Sequence, residues 1–472
     1  MPAEGPAVAR LAADHAAGTR TARATVAEAL RRAHAVQPAL NPFAVIDEAG
    51  ALAAADALDA RIASGERIGP LAGVPVSVKD ILDCAGLPTR WGSPLFADAP
   101  PAQVDITAVA RLKAAGAVVV GKTTTTEFAH APLGFSPLMG MTRNPFNPAL
   151  TCGGSSSGAG VTVAMGVTPV TLATDAGCST RLPAAATGVY GFKPTLGLVP
   201  HERVPDGFGS FIHLGLLARH VADIAATLPV VAGPVAADPW SLKAPPAPAP
   251  EGSPLAGRRV VMWMRTGNRK VAAEVEAATR RAASVLEVLG ATVTEEAYGF
   301  AHPDPIWTTL QQTNWAMRFS ATPDTEMARL SPTLQTGIAA ARGYSALDLQ
   351  RAQVARTLLF RQVQGVMGRA DFILTPCVSA PMVAADFDLA GPLAVDGEEV
   401  GLLRAEWTTA LSLFDLTGHP AIALPAGVAD NGGPLGVQLV AGWGADAHLL
   451  AAAAAFEAAL PPPVCPGAFA PL

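Results

Sequence analysis

Lys79, Ser155 and Ser179 are the residues of this chain whose neighbours could turn them to chemistry. Lys79 stands near the end of GVPVSVKD (73–80), Ser155 follows a Gly-Gly pair in TCGGSSSGAG (151–160), and Ser179 lies in ATDAGCSTRLPAAATGVYGFKP (173–194). A serine backed by a lysine can attack an amide carbonyl, provided that the lysine is neutral. The reaction also needs a proton for the departing nitrogen and donors for the oxyanion. Lowering a lysine by about three pKa units from its ordinary value costs roughly 4 kcal/mol. Val74, Val76 and Val78 would carry the Lys79 stem into the protein, so burial can supply that shift. Taken alone, a lysine at a strand end is a surface or ion-paired residue, and the adjacent Asp80 is a ready partner. The run 153–158 taken alone is an ordinary polar loop, and with no Gly-Lys-Ser/Thr after it, it is not a Walker A loop.

These stretches need elements to hold them. Apolar residues recurring at three and four predict amphipathic helices over 23–36 and 47–63, and alternation with β-branched residues predicts a strand over 73–79 that ends at the lysine. A helix over 106–115 and a strand over 117–121 follow, with Gly116 as the helix C-cap. A proline-rich connection leads to Ser155, the run after it reads as a helix, and a strand over 168–174 delivers the chain to Asp175 and Ser179. Both serines therefore fall where a loop meets an element and main-chain amides are free to face a ligand. Further on come strands over 258–264 and 291–296 around a helix over 271–289, helices within 305–370, a strand over 371–376, and PLGVQLVAG before an Ala-rich helix over 446–459. This is α/β rhythm. The Pro/Ala-rich stretch 233–257 reads as an exposed linker or surface excursion.

Composition narrows the partners. Half of the 472 residues are apolar, only 15% are charged, and the net charge is −6 without a run of Lys and Arg. Neither nucleic acid nor an anionic membrane is suggested, which leaves a small-molecule substrate. Cys84, Cys152, Cys178, Cys377 and Cys465 are scattered and odd in number, so neither a disulfide framework nor a zinc site is expected. No signal peptide and no 18-residue apolar stretch is visible, and a cytoplasmic monomer or homodimer is expected.

Taken together, the three stretches resemble the signature of the amidase signature family, serine hydrolases with a Ser-Ser-Lys triad. GKTTTTEF, TRNPFNP, YGFKPTLGLVP, DFILTP and LTGHPAIALPAG read like further landmarks in their usual order. The resemblance implies one domain over 1–472 with a signature core over about 70–200, built on a large twisted mixed sheet with helices on both faces. It makes Ser179 the nucleophile, Ser155 the cis-peptide serine between nucleophile and base, and Lys79 the base. The main chain of Ala176, Gly177, Cys178 and Ser179 becomes the oxyanion hole, while Ser156, Asp175 and Arg181 brace the triad or touch substrate. Two departures stand out: Ala-Gly-Cys precedes the nucleophile, where a side chain at Cys178 forbids glycine-only conformations, and Ser157 is a third serine. No cofactor or metal is implied.

By the same resemblance the substrate pocket draws on the stretch after GKT, with Phe128, Leu133, Phe135, Leu138 and Met139, and on a later region with Trp307, Trp315 and Phe319. Ordinary core packing would also account for these residues. If they face the site, they favour an apolar or aryl amide, an anilide or a carbamate. Two rival readings stand beside this one. Residues 154–158 formally satisfy GxSxG, with Ser156 as an α/β-hydrolase nucleophile and His419 as its histidine, but that motif requires a strand just before it. The other rival is the amidase subunit of a tRNA-dependent amidotransferase, a glutaminase working with partner subunits.

Overall fold

The computed structural model describes residues 5–242, 249 and 252–472. Part of the Pro/Ala-rich stretch, 243–248 and 250–251, lies outside them; its described flanks are mostly half-buried or exposed. The strands are β1 (Phe43–Ile46), β2 (Pro75–Lys79), β3 (Val118–Thr123), β4 (Phe135–Ser136), β5 (Gly140–Met141), β6 (Val170–Asp175), β7 (Tyr190–Lys193), β8 (His213–Ala218), β9 (Arg259–Met262), β10 (Thr292–Glu295), β11 (Phe372–Pro376), β12 (Pro392–Val395), β13 (Glu398–Leu402), β14 (Ala421–Val428) and β15 (Pro434–Ala441).

Eleven of them form one mixed sheet in the order β1-β3-β2-β6-β8-β7-β14-β15-β11-β9-β10. The pairs β3/β2/β6 and β11/β9/β10 are parallel, and the strands between them are antiparallel. β4–β5 and β12–β13 are separate hairpins. Every residue of β2, β3, β6, β7, β8, β11 and β15 is buried, so both faces of the sheet are covered, as the near-continuous apolar runs of these strands require. The single-domain α/β architecture expected from sequence is the one observed.

Two parallel neighbours set up the site. Val76, Ser77 and Val78 of β2 pair with Val170, Thr171 and Leu172 of β6, so both strands end on the same edge and present Lys79 beside Thr174 and Asp175. Ligands of open α/β sheets bind at such carboxyl ends. Beneath that edge Ser77, Thr162, Thr168 and Thr171 share buried hydroxyl hydrogen bonds, including 2.7 Å from Ser77 to Thr171. Thr162 belongs to the helix Ser157–Ala164, so this cluster seats the helix on the two strands. Only glycine fits at Gly158 on that helix: a Cβ there would collide with the Pro42 carbonyl and lie 2.6 Å from the Thr124 amide.

Candidate active site

Lys79 is fully buried, and its Nζ donates to Ser155 Oγ at 2.7 Å and to Thr174 Oγ1 at 2.9 Å. No carboxylate within ion-pair range faces it among the described residues. Asp80, the neighbour that could have paired with it, turns instead to Lys122, 3.1 Å away. Burial pushes Lys79 down to about 7, against a smaller opposing pull from the Asp175 carboxylate. That is the shift a lysine base requires near neutral pH.

Ser155 follows a cis peptide bond from Gly154 and lies just before the helix Ser157–Ala164. Ser179 precedes the helix Arg181–Thr187. Both serines line one cavity of about 360 Å³, with Thr174, Ala176, Gly177 and Cys178. The main-chain N–H groups of residues 176–179 have no intramolecular acceptor among the described residues, whereas the next two, of Thr180 and Arg181, both donate to Asp175 Oδ2. Four unsatisfied donors at a cavity wall are suited to a developing oxyanion.

Cys178 does not disturb this loop. It is not among the residues with positive φ, so its backbone conformation is open to any residue type, and its Sγ donates to the Gly154 carbonyl at 3.7 Å. Burial pushes its thiol up to about 12, so it carries no thiolate near neutral pH. Space is the constraint at Gly177, where a Cβ would stand 2.8 Å from Arg404 Nη2 and 2.9 Å from Trp307 Nε1.

Asp175 and Arg181 lie behind the loop, fully buried and outside the cavity lining. Arg181 holds Asp175 through Nε and Nη2 at 2.8 and 3.1 Å, and reaches Asp415 at 2.6 Å and Gln438 at 2.5 Å. Against the penalty of burial, the Arg181 guanidinium holds Asp175 down to about 2. Ser156 is likewise buried and donates to the Thr174 carbonyl at 3.3 Å. No strand lies immediately before it, the nearest being Gly140–Met141, and His419 bonds through Nδ1 to Thr417, so the α/β-hydrolase arrangement is not formed.

The far wall comes from distant sequence. Trp307, Gln311, Trp315 and Arg318 recur at helical spacing along Pro303–Arg318, and all line the cavity with Trp91 and Phe128. Trp307 Nε1 donates to the Ala176 carbonyl at 2.5 Å, tying this wall to the loop before Ser179. Phe128 adopts φ 45°, rare for an aromatic residue, and the carboxylate of Glu127 beside it accepts from Ser93 and from Ser331. Phe135 and Met139 correct the expectation made for them. They belong to the β4–β5 hairpin and do not line the cavity; Phe135 is 50% exposed. The two-residue strands turn the chain back at the surface before it reaches Ser155. Leu133 joins the main core, and Phe319 packs edge-on behind Phe128 at 4.8 Å.

Sequence reasoning passed over Thr174, Gln311 and Arg404. Thr174 was within reach, since the strand expected over 168–174 ends at it, just before the serine motif. Nothing in LLRAEW marks Arg404. No cluster of three or more His, Cys, Asp or Glu able to hold a metal occurs among the described residues, and no helix among them is long and apolar enough to cross a membrane.

The chain matches the Amidase family over residues 24–450. It is 31% identical over 443 residues to an acylamidase of Rhodococcus erythropolis, covering 92% of each chain. It is 34% identical to a glutamyl-tRNA(Gln) amidotransferase subunit of Roseiflexus castenholzii, covering 87% of each. A bacterial aryl acylamidase of the amidase signature family superposes with a TM-score of 0.89 at 29% identity, over 98% of this chain and 97% of that one.

Proposed function

The chain belongs to the amidase signature family, hydrolases of carbon–nitrogen bonds, and from that premise we propose that it cleaves apolar or aryl amides, and related carbamates, through an acyl-enzyme on Ser179. Ser179 Oγ bonds to the carbonyl carbon while its proton passes to Ser155, whose own proton passes to Lys79. The oxyanion is held by the free N–H groups of residues 176–179. Collapse breaks the C–N bond, and the amine leaves with the proton that Lys79 returns through Ser155. Water then repeats the sequence on the acyl-enzyme and releases the acid.

The observation that carries this reading is the Lys79 amine, buried, pushed down to about 7 and hydrogen-bonded to a serine that opens on the same cavity as Ser179. A fluorophosphonate is expected to label Ser179, and Ser179→Ala to abolish turnover in a protein that keeps its melting temperature. A label mapped by mass spectrometry to Ser156 would overturn it. The aryl preference is supported by the wall of Trp91, Phe128, Trp307 and Trp315, and by the likeness to an aryl acylamidase. Carbamates present the same carbonyl to Ser179. The protein acts alone, as a monomer or homodimer, in the cytoplasm.

The likeness to the amidotransferase of Roseiflexus castenholzii supports a second reading, glutamine hydrolysis within a larger assembly. Glutaminase activity that appears only when the other components of such an assembly are added would favour it over the first.

A further inference from the structure

Arg404 is a cation of the cavity wall that the hydrolytic chemistry leaves unused. It comes from the short helix Leu403–Trp407, and its guanidinium lies over the Trp307 ring and reaches the loop at Gly177. Its Nε is buried without a hydrogen-bond partner, and no hydrogen bond from Nη1 or Nη2 occurs among the described residues. Arg404 forms a long ion pair with Asp304, whose nearer carboxylate oxygen stands 4.0 Å from Nε, too far for a hydrogen bond. A buried polar group without a partner is costly, and water, an ion or a ligand can supply the missing bond; at Arg404 the position on the cavity wall puts a ligand within reach. A planar guanidinium with several free N–H donors, beside aromatic rings, is complementary to a carboxylate on an aryl or apolar body.

We propose that Arg404 anchors an anionic group of the substrate, so that the preferred substrates are aryl or apolar amides bearing a carboxylate near the scissile bond. The proposal rests on the amidase reading above and adds the substrate class. A residue that only propped Trp307 would affect charged and neutral substrates alike; an anchor discriminates between them.

Two matched pairs test both sides of the scissile bond: 4-acetamidobenzoate against its methyl ester, and succinanilic acid against butyranilide. In at least one pair the anionic member is expected to have a kcat/KM about 10-fold or more above the neutral one. Arg404→Met and Arg404→Gln should erase that ratio, Arg404→Lys should keep part of it, and added salt should shrink it. Equal rates within both pairs, or equal losses for anionic and neutral members in the variants, would overturn the anchor. Calorimetric binding of the same compounds to Ser179→Ala separates this failure from that of the mechanism. There the anionic member should bind about 10-fold tighter than its neutral partner, and a second change, Arg404→Met, should remove the difference. Equal affinities in both pairs sink the anchor even if Ser179 is the nucleophile, and a charge preference would survive the loss of the Ser179 assignment.

Discussion

Two fully buried lysines in this molecule have reached a similar proton affinity in different company. Lys79, at the end of β2, and Lys193, at the end of β7, are both pushed down to about 7, chiefly by burial. Lys193 donates to two main-chain carbonyls, of His419 at 2.5 Å and Pro194 at 3.3 Å. Lys79 donates to two hydroxyls, and one of them, Ser155, lines the cavity. A carbonyl can only accept, whereas a hydroxyl accepts and donates, so only Lys79 has a route by which a proton can enter and leave. Neither Lys193 nor its partners touch the cavity. A third buried lysine, Lys122, has a carboxylate partner in Asp80. Burial lowers the proton affinity of both amines, and only at Lys79 does a hydroxyl connect the amine to the cavity.

Removing Lys79 should have the largest effect. Lys79→Ala is expected to lower kcat on an anilide by about 10²- to 10⁴-fold, the usual worth of general acid–base catalysis, and to lower it far less on an activated ester, whose leaving group needs no returned proton. Equal losses on the two substrates would reduce Lys79 to a structural role. The pH profile comes next. Only the neutral amine serves as base, so kcat/KM should rise through about pH 7 and level off above it. Thr174→Val deletes one acceptor of the charged amine, disfavours the protonated form, and should move this acid limb to lower pH with a several-fold loss of rate. A limb that moves upward, or stays in place, would mean that Thr174 does not hold Lys79.

Lys193→Met should change catalysis least: kcat/KM within about threefold, with the acid limb unmoved. Its signature is in stability. Between about pH 7 and 10 the unfolded chain holds a proton on this lysine that the native state lacks, so the unfolding free energy rises with pH. The variant should show a shallower rise in urea titrations. If the acid limb disappeared in Lys193→Met, the distinction between the two lysines would fail.

The sheet edge that carries the candidate site was legible in the sequence because its residues sit at the ends of short, strongly patterned elements. The strand over 73–79, the helix after Ser155 and the strand over 168–174 are found within a few residues of their expected bounds. β8 was not visible: HLGLLA is a short apolar run that suits a buried strand or a helix turn equally, and only its pairing with β6 and β7 decides. β1 is four residues between two helices, too brief for a period. The cavity wall resisted for another reason. Trp307 and Arg404 meet residues 176–177 across long separations, and an aromatic or arginine in a polar helix carries no mark of what it will face. Proximity to GKT misled in the case of Phe135, because a tight hairpin sends it to the surface.

The crowding around Gly177 bears on how such an enzyme can change what it eats. Trp307 and Arg404 shape the chamber, yet both press on the loop that carries the four free amides, one by a hydrogen bond and both by contact with Gly177. A lineage drifting toward a bulkier or differently charged substrate would have to reshape these two side chains together, because altering either one alone disturbs the packing of the loop. Substrate range and turnover are thus tied at this corner, and a combinatorial library pairing positions 307 and 404 should recover active variants that stepwise substitution at either position passes by.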